Sequence, residues 1–208
     1  MNIVSIEASS NICSVSSFKD SKLINLIETN KDRSHSKNLP IMIKRIMQDF
    51  SVKDKIHAFS ISIGPGSFTS LRISLSLVKG ISLILKNNII PVPTFDYLNF
   101  QVNREDVHYI ALSSFKDKCF IQKFKGLNSI GSPYIDSINN LKNIKEDIYS
   151  NFEDCDNQIE FLNLMPNSIY LAKYAIEKKE ELLKKYNDEV KPVYLSNIKY
   201  EKNVNKSK

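Results

Sequence analysis

Apolar positions along the chain change period several times, and each change predicts an element. Asn2–Ile6, Ile12–Phe18 and Lys22–Glu28 are short β-prone runs separated by Glu7-Ala8-Ser9-Ser10-Asn11 and Lys19-Asp20-Ser21, a spacing that predicts a three-stranded meander. After Ser34-His35-Ser36 the period lengthens: Leu39, Met42, Ile43, Ile46, Met47 and Phe50 recur at three- and four-residue steps, which predicts a helix over 36–50 with Pro40 in its first turn. Ala58–Ile63 is apolar and β-branched and stops at Gly64-Pro65-Gly66, so it reads as a buried strand ending in a tight turn.

The next helix, predicted over 67–85, is unusual. Ser67 or Thr69 can cap its first amides, and Gly66 lets the main chain turn sharply. Its only charges, Arg72 and Lys79, form with Ser76 one narrow polar stripe. Leu71, Leu75 and Val78 lie on one side of that stripe, while Ile73, Leu77, Ile81 and Ile84 lie on another. One sheet cannot cover so much of a helix. Since an uncovered Leu or Ile forgoes about 1.5–3 kcal/mol, a second helix or another chain is expected to cover the remainder.

Asn87-Asn88 ends this helix and Ile89–Val92 reads as a strand, so the first hundred residues run βββαβαβ. That is the element order of the ribonuclease-H-like half-domain of the actin, Hsp70 and sugar-kinase superfamily, and it predicts an α/β, two-domain actin-like fold. Thr94-Phe95-Asp96-Tyr97-Leu98 starts a short helix, and Val107–Ser113 and Lys118–Lys125 form a strand pair. From Gly126 to Leu164 the pattern weakens, with only Gln158–Leu162 read as a strand. Pro166-Asn167-Ser168 opens a helix to about Tyr186, with Ile169, Ala172, Ala175 and Ile176 inward and Glu180–Lys184 and Glu181–Lys185 pairs outward. Pro192-Val193-Tyr194-Leu195 is a last ordered segment. The expected division is a first domain at 1–100, a smaller α/β domain at 101–198 and a frayed tail at 199–208.

Composition changes this picture little. With 208 residues, 42% of them hydrophobic, the chain can bury a sizeable core. The net charge of +6 divides into +5 over 1–100, −3 over 101–177 and +4 over 178–208, a spread that chiefly favours solubility. Cys13, Cys119 and Cys155 form no C-x-x-C pair, which fits core thiols in a reducing cytosol rather than disulfides or zinc. No apolar run reaches the length of a membrane span, and MNIVSIEASS lacks the basic and apolar regions of a leader; a cytoplasmic protein without a membrane partner is expected.

Chemistry is harder to place. His35, His57 and His108 are scattered without metal-ligand spacing, and no metal is expected. A Ser–His hydrolase would need a G-x-S-x-G elbow that the sequence does not have. Gly64-x-Gly66 before a helix could cradle a phosphate, but lacks a P-loop lysine and a third glycine, so it reads first as a strand-to-helix corner. The basic stretch 178–208 could touch RNA in an auxiliary way.

Gly64-Pro65-Gly66-Ser67-Phe68-Thr69-Ser70-Leu71-Arg72-Ile73 resembles the signature GPGSFTGLRIG of the TsaB (YeaZ) family. Ile3-Val4-Ser5-Ile6-Glu7-Ala8-Ser9 is similar to that family's opening ILAIDTS, and Pro192-Val193-Tyr194-Leu195 to its PVYLR ending. His35-Ser36 with Leu39-Pro40, and Lys79-Gly80, also match. The resemblance implies a subunit without chemistry of its own in the bacterial machinery that makes threonylcarbamoyladenosine next to the anticodon of tRNA. It implies pairing with a TsaD-like catalytic subunit through two helices from each chain, here 36–50 and 67–85, with a TsaE-like ATPase joining them. The interface residues so implied are Leu39, Met42, Ile43, Ile46, Leu71, Arg72, Ser74, Leu75, Val78 and Lys79; without the partner, the same helices would pair two copies of the chain.

No cofactor is expected, ATP being held, where it is used, by partner subunits; Glu7, Ser9 and Ser10 are the weak candidates for contact with one. Three departures bear on this. Ser70 and Ser74 stand where the family has glycine, Glu7 stands where it has Asp, and Ala8-Ser9-Ser10-Asn11 has no glycine for a phosphate-holding hairpin. The alternative is an ATP-dependent phosphotransferase or ATPase on the same fold, with Glu7 placing magnesium.

Overall fold

The computed structural model describes residues 1–30, 35–51, 53–152, 159–186 and 190–195. Strands β1 (Ile3–Glu7), β2 (Cys13–Lys19) and β3 (Lys22–Thr29) form the expected meander, followed by α1 (His35–Met47), β4 (Ala58–Gly64), α2 (Phe68–Leu85) and β5 (Asn88–Pro93). They build a sheet of order β3-β2-β1-β4-β5, in which β1 pairs antiparallel with β2 and parallel with β4.

Strand alternation decides what lies on each face. Val4, Ile6, Phe59, Ile61 and Ile63 point to one side and pack with Leu39, Ile43 and Ile46 of α1 and Leu75 and Val78 of α2. The other side of β1, β2 and β4 carries Ser5, Ser14, Ser16, Ser60 and Ser62, all buried. These short side chains let α4 (Ser168–Glu177) approach closely with Leu171, Ala172 and Ala175. Its first turn is seated on β2: Ser168 N donates to Ser14 Oγ at 3.0 Å, and Ser16 Oγ donates to the Ser168 carbonyl at 3.2 Å.

After α3 (Thr94–Val102), strands β6 (Val107–Ser113), β7 (Lys118–Lys125), β8 (Asn128–Ser137), β9 (Ile148–Ser150) and β10 (Leu162–Asn163) form a second sheet of order β10-β9-β6-β7-β8. It repeats the first: a central strand has two antiparallel hairpin neighbours on one side and two parallel neighbours on the other. The repetition is incomplete. Where α1 stands between β3 and β4, the second half has only a 3-10 turn, Ile138–Asn143, between β8 and β9. The fold is α/β, of the actin-like, ribonuclease-H-like kind.

Several details differ from the expectation. Strand β8 falls in the stretch read as unpatterned, and β10 lies at Leu162–Asn163, Gln158 being outside the described residues. The helix from Ser168 ends at Glu177 and α5 (Lys179–Tyr186) starts after Lys178, because α4 follows β1 whereas α5 lies against β5. Both helices, expected with the second domain, therefore pack on the first sheet. Cys13 and Cys119 are buried thiols; Cys155 and residues 196–208 lie outside the described residues.

Candidate functional site

The signature turn is held from two sides by close backbone approach. Ser67 N donates to the Ser9 carbonyl at 2.7 Å, and a side chain at Gly66 would collide with that same carbonyl. At Gly64 the backbone has φ +108°, and an added Cβ would come within 2.6 Å of the Val193 carbonyl. Val193 N in turn donates to the Ile63 carbonyl at 2.7 Å, so the Val190–Leu195 segment is fastened across the end of β4. Ser67 Oγ accepts from Ser70 N and caps α2.

Glu7 lies beneath this turn, fully buried. Its Oε1 accepts from Ser9 N at 2.5 Å and its Oε2 accepts from the Tyr97 hydroxyl at 2.8 Å. Burial pushes its carboxyl above the ordinary carboxylate range, against the bonds from Ser9 and Tyr97 that pull it down. The Tyr97 phenol is pushed well up by burial and by the neighbouring carboxylate. Ser10 Oγ accepts from Ile12 N and so closes its own turn. Glu7, Ser9 and Ser10 are thus together, but their polar atoms are used within the loop and against the signature turn.

The circumference of α2 is divided unequally. Leu71, Ser74, Leu75 and Val78 face the sheet and are buried. Leu39, Met42, Ile43 and Ile46 of α1 are buried in the same way. These eight residues are buried within the chain, α1 lying against β1, β2 and β3 and α2 against β4 and β5, so they do not make the outward face expected of them. Arg72 and Lys79 are exposed, on the edge facing the Val190–Tyr194 segment.

The outward line is instead Ile73, Leu77, Gly80 and Ile84, spaced four, three and four residues apart on one helical seam. Ile84 is 80% exposed and its neighbour Leu83 81%, and Ile73, Leu77 and Ile81 are only partly covered. On α1, which packs beside α2, Ile41 is 48% exposed. The seam was visible in the sequence as the second apolar flank; nothing there said which flank the sheet would take. Val193 and Tyr194 stood out only as part of the Pro192–Leu195 match and Tyr97 only as part of a helix start, none of them as a site residue.

A 184-residue alignment is 31% identical to the tRNA threonylcarbamoyladenosine biosynthesis protein TsaB of Buchnera aphidicola subsp. Acyrthosiphon pisum (strain APS), over 81% of this chain and 83% of that one. The chain belongs to the TsaB family. A second TsaB, from Buchnera aphidicola subsp. Schizaphis graminum (strain Sg), is 34% identical over 97 residues, 46% of each chain. The family model of TsaD, tRNA N6-adenosine threonylcarbamoyltransferase, matches residues 23–115. Among solved structures, YeaZ from Pseudomonas aeruginosa superposes with a TM-score of 0.70 at 18% identity, covering 93% of this chain and 99% of that one. A Pseudomonas aeruginosa protein described as similar to peptidase YEAZ gives 0.72 at 16%, covering 94% and 99%. TsaB membership assigns the chain to threonylcarbamoyladenosine biosynthesis, and the structural likeness is one of fold.

Proposed function

We propose that this TsaB-family chain is a non-catalytic scaffold and activator subunit, pairing with a TsaD-like catalytic subunit for threonylcarbamoylation of the adenosine next to the anticodon in tRNA. The observation that carries this reading is the uncovered seam Ile73, Leu77, Gly80 and Ile84, with Leu83 beside it and Ile41 on the adjacent helix. The apolar seam along α2 suits a helix from another chain, and the small Gly80 at its centre allows close approach. The same surface pairs two copies when the partner is absent. A TsaE-like ATPase joins the assembly, and tRNA is met through the complex. A role in tRNA modification calls for a cytoplasmic protein.

The absence of own chemistry is supported by Glu7. A magnesium-placing carboxylate must be ionised and open to the metal, whereas this one is buried and bonded through both oxygens to Ser9 and Tyr97. The close contact of Ser9 with Gly66 and Ser67 brings the first hairpin against the signature turn, which supports the reading that no phosphate is held between them. Nucleotide is accordingly left to the partner subunits.

The test is co-expression with the TsaD-like protein of the same cell, followed by sizing with light scattering. Leu77→Asp and Ile84→Asp are expected to abolish the heterodimer while leaving the Tm of the isolated subunit within a few degrees; undiminished pairing by both variants sinks the assigned surface. Calorimetry with ATP and magnesium tests the other half, and micromolar binding by the lone subunit overturns it.

A further inference from the structure

Beside the seam, and separate from it, a groove of about 450 Å³ runs between α2 and the Val190–Tyr194 segment. Leu75 and Val190, nearly buried, show only their edges at its floor, Pro192 is half-buried beside them, and Arg72 and Lys79 stand along one edge. None of the described residues lining it is acidic. Arg72 and Lys79 are seven positions apart, which sets the two cations about 10 Å apart along the helix.

Arg72 is the informative member. Its Nε donates to the Tyr194 hydroxyl at 2.8 Å, and its guanidinium lies 3.8 Å from the centre of the Phe68 ring. Phe68 and Tyr194 are themselves in contact, with ring centres 4.7 Å apart. An arginine on a surface helix ordinarily samples many rotamers. Here the stacked ring and the hydroxyl hold the plane of the guanidinium, so the two terminal nitrogens form a fixed fork of the kind that takes a carboxylate through two hydrogen bonds.

We propose that this groove docks an acidic, leucine-bearing peptide segment of a partner protein, a carboxylate of which sits in the Arg72 fork while another meets Lys79. The apolar floor favours a peptide over a nucleic-acid strand: a phosphodiester chain laid there would press against Leu75, Val190 and Pro192. Two amides at this helix start are committed within the chain, Ser67 N to the Ser9 carbonyl and Ser70 N to the Ser67 hydroxyl. This site is independent of the pairing seam, since Arg72 and Lys79 lie on a different edge of α2 from Ile73, Leu77 and Ile84.

The experiment is a titration of the 15N-labelled protein, followed by amide shifts. The probe is a synthetic peptide with glutamates seven positions apart among leucine and alanine; controls are its glutamine analogue and oligouridylate. Shifts confined to 72–79 and 190–195, an affinity about tenfold lower in Arg72→Gln and intermediate in Arg72→Lys, and no response to the glutamine peptide are expected. Wild-type Tm in Arg72→Gln would exclude a merely structural effect, and Leu77→Asp is expected to bind the peptide normally although it loses the catalytic partner. No shift at millimolar acidic peptide, an equal response to the glutamine analogue, or tighter binding of oligouridylate each overturns the proposal.

Discussion

Ser67 and Ser9 are joined by a backbone hydrogen bond of 2.7 Å, which ties the start of α2 to the loop that follows β1. Gly66 makes that bond possible, because any Cβ there would occupy the place of the Ser9 carbonyl. Gly66→Ala is therefore expected to destabilise the fold by about 2 kcal/mol or more, the usual scale for backbone strain in a packed site. Gly80→Ala is the control: open space surrounds a Cβ at Gly80, and helix propensity favours alanine by roughly 1 kcal/mol. Urea denaturation of the two variants checks the opposite signs.

Glu7 predicts a dependence on pH. Its carboxyl is raised by burial, so the folded chain holds this proton at pH values where the unfolded chain has released it. The folded state then binds more protons, and stability falls as pH rises from the unfolded value near 4.5 toward the folded one. Asp96, also raised chiefly by burial, adds to the same slope. Glu7→Gln keeps the shape of the neutral acid and removes its titration, so the variant is expected to lose less stability than wild type between pH 5 and pH 8. Denaturation midpoints across that range decide it; parallel curves would refute the assignment.

The two flanks of α2 are expected to respond differently to truncation. Leu75→Ala empties a position packed against the first sheet and is expected to cost about 2–5 kcal/mol. Leu77→Ala removes a side chain that is only partly covered, and about 1 kcal/mol or less is expected in the unpaired monomer. For affinity within the proposed heterodimer the order is expected to reverse, with Leu77 the more damaging loss. Thermal melts with and without the partner make the comparison.

Ser14 is the seat of α4. Its hydroxyl meets Glu28 Oε1 and Ser168 Oγ, each at 2.8 Å, and accepts from Ser168 N. Ser14→Ala leaves a buried N–H without that partner, at an expected cost of about 1–3 kcal/mol. Hydrogen exchange is expected to quicken first in the amides of 168–172.

The first half was legible because its elements agree with their own local pattern. Val107–Ser113 and Lys118–Lys125 were read to the residue for the same reason. Strand β8 was not, since Asn128-Ser129 and Gly131-Ser132-Pro133 look like loop and most of the strand is exposed. Its conformation comes from pairing with β7, which no periodicity records. On α2 the difficulty was the reverse. Several stripes were apolar enough to be the buried one, and only the position of β4 and the returning Val190 picks Leu71, Leu75 and Val78. The fork at Arg72 depends on Tyr194, more than a hundred positions away, so no motif spacing could announce it.

One core runs through both halves: Ile3, Phe18 and Val92 of the first sheet, Tyr97 and Leu98 of α3, Leu171 and Ala175 of α4, and Ile110 and Phe124 of the second sheet pack together. Parting the two sheets would mean tearing this shared oily interior, so they are expected to move as one body. Any protein that docks on the helices outside is therefore expected to meet a template of one fixed contour.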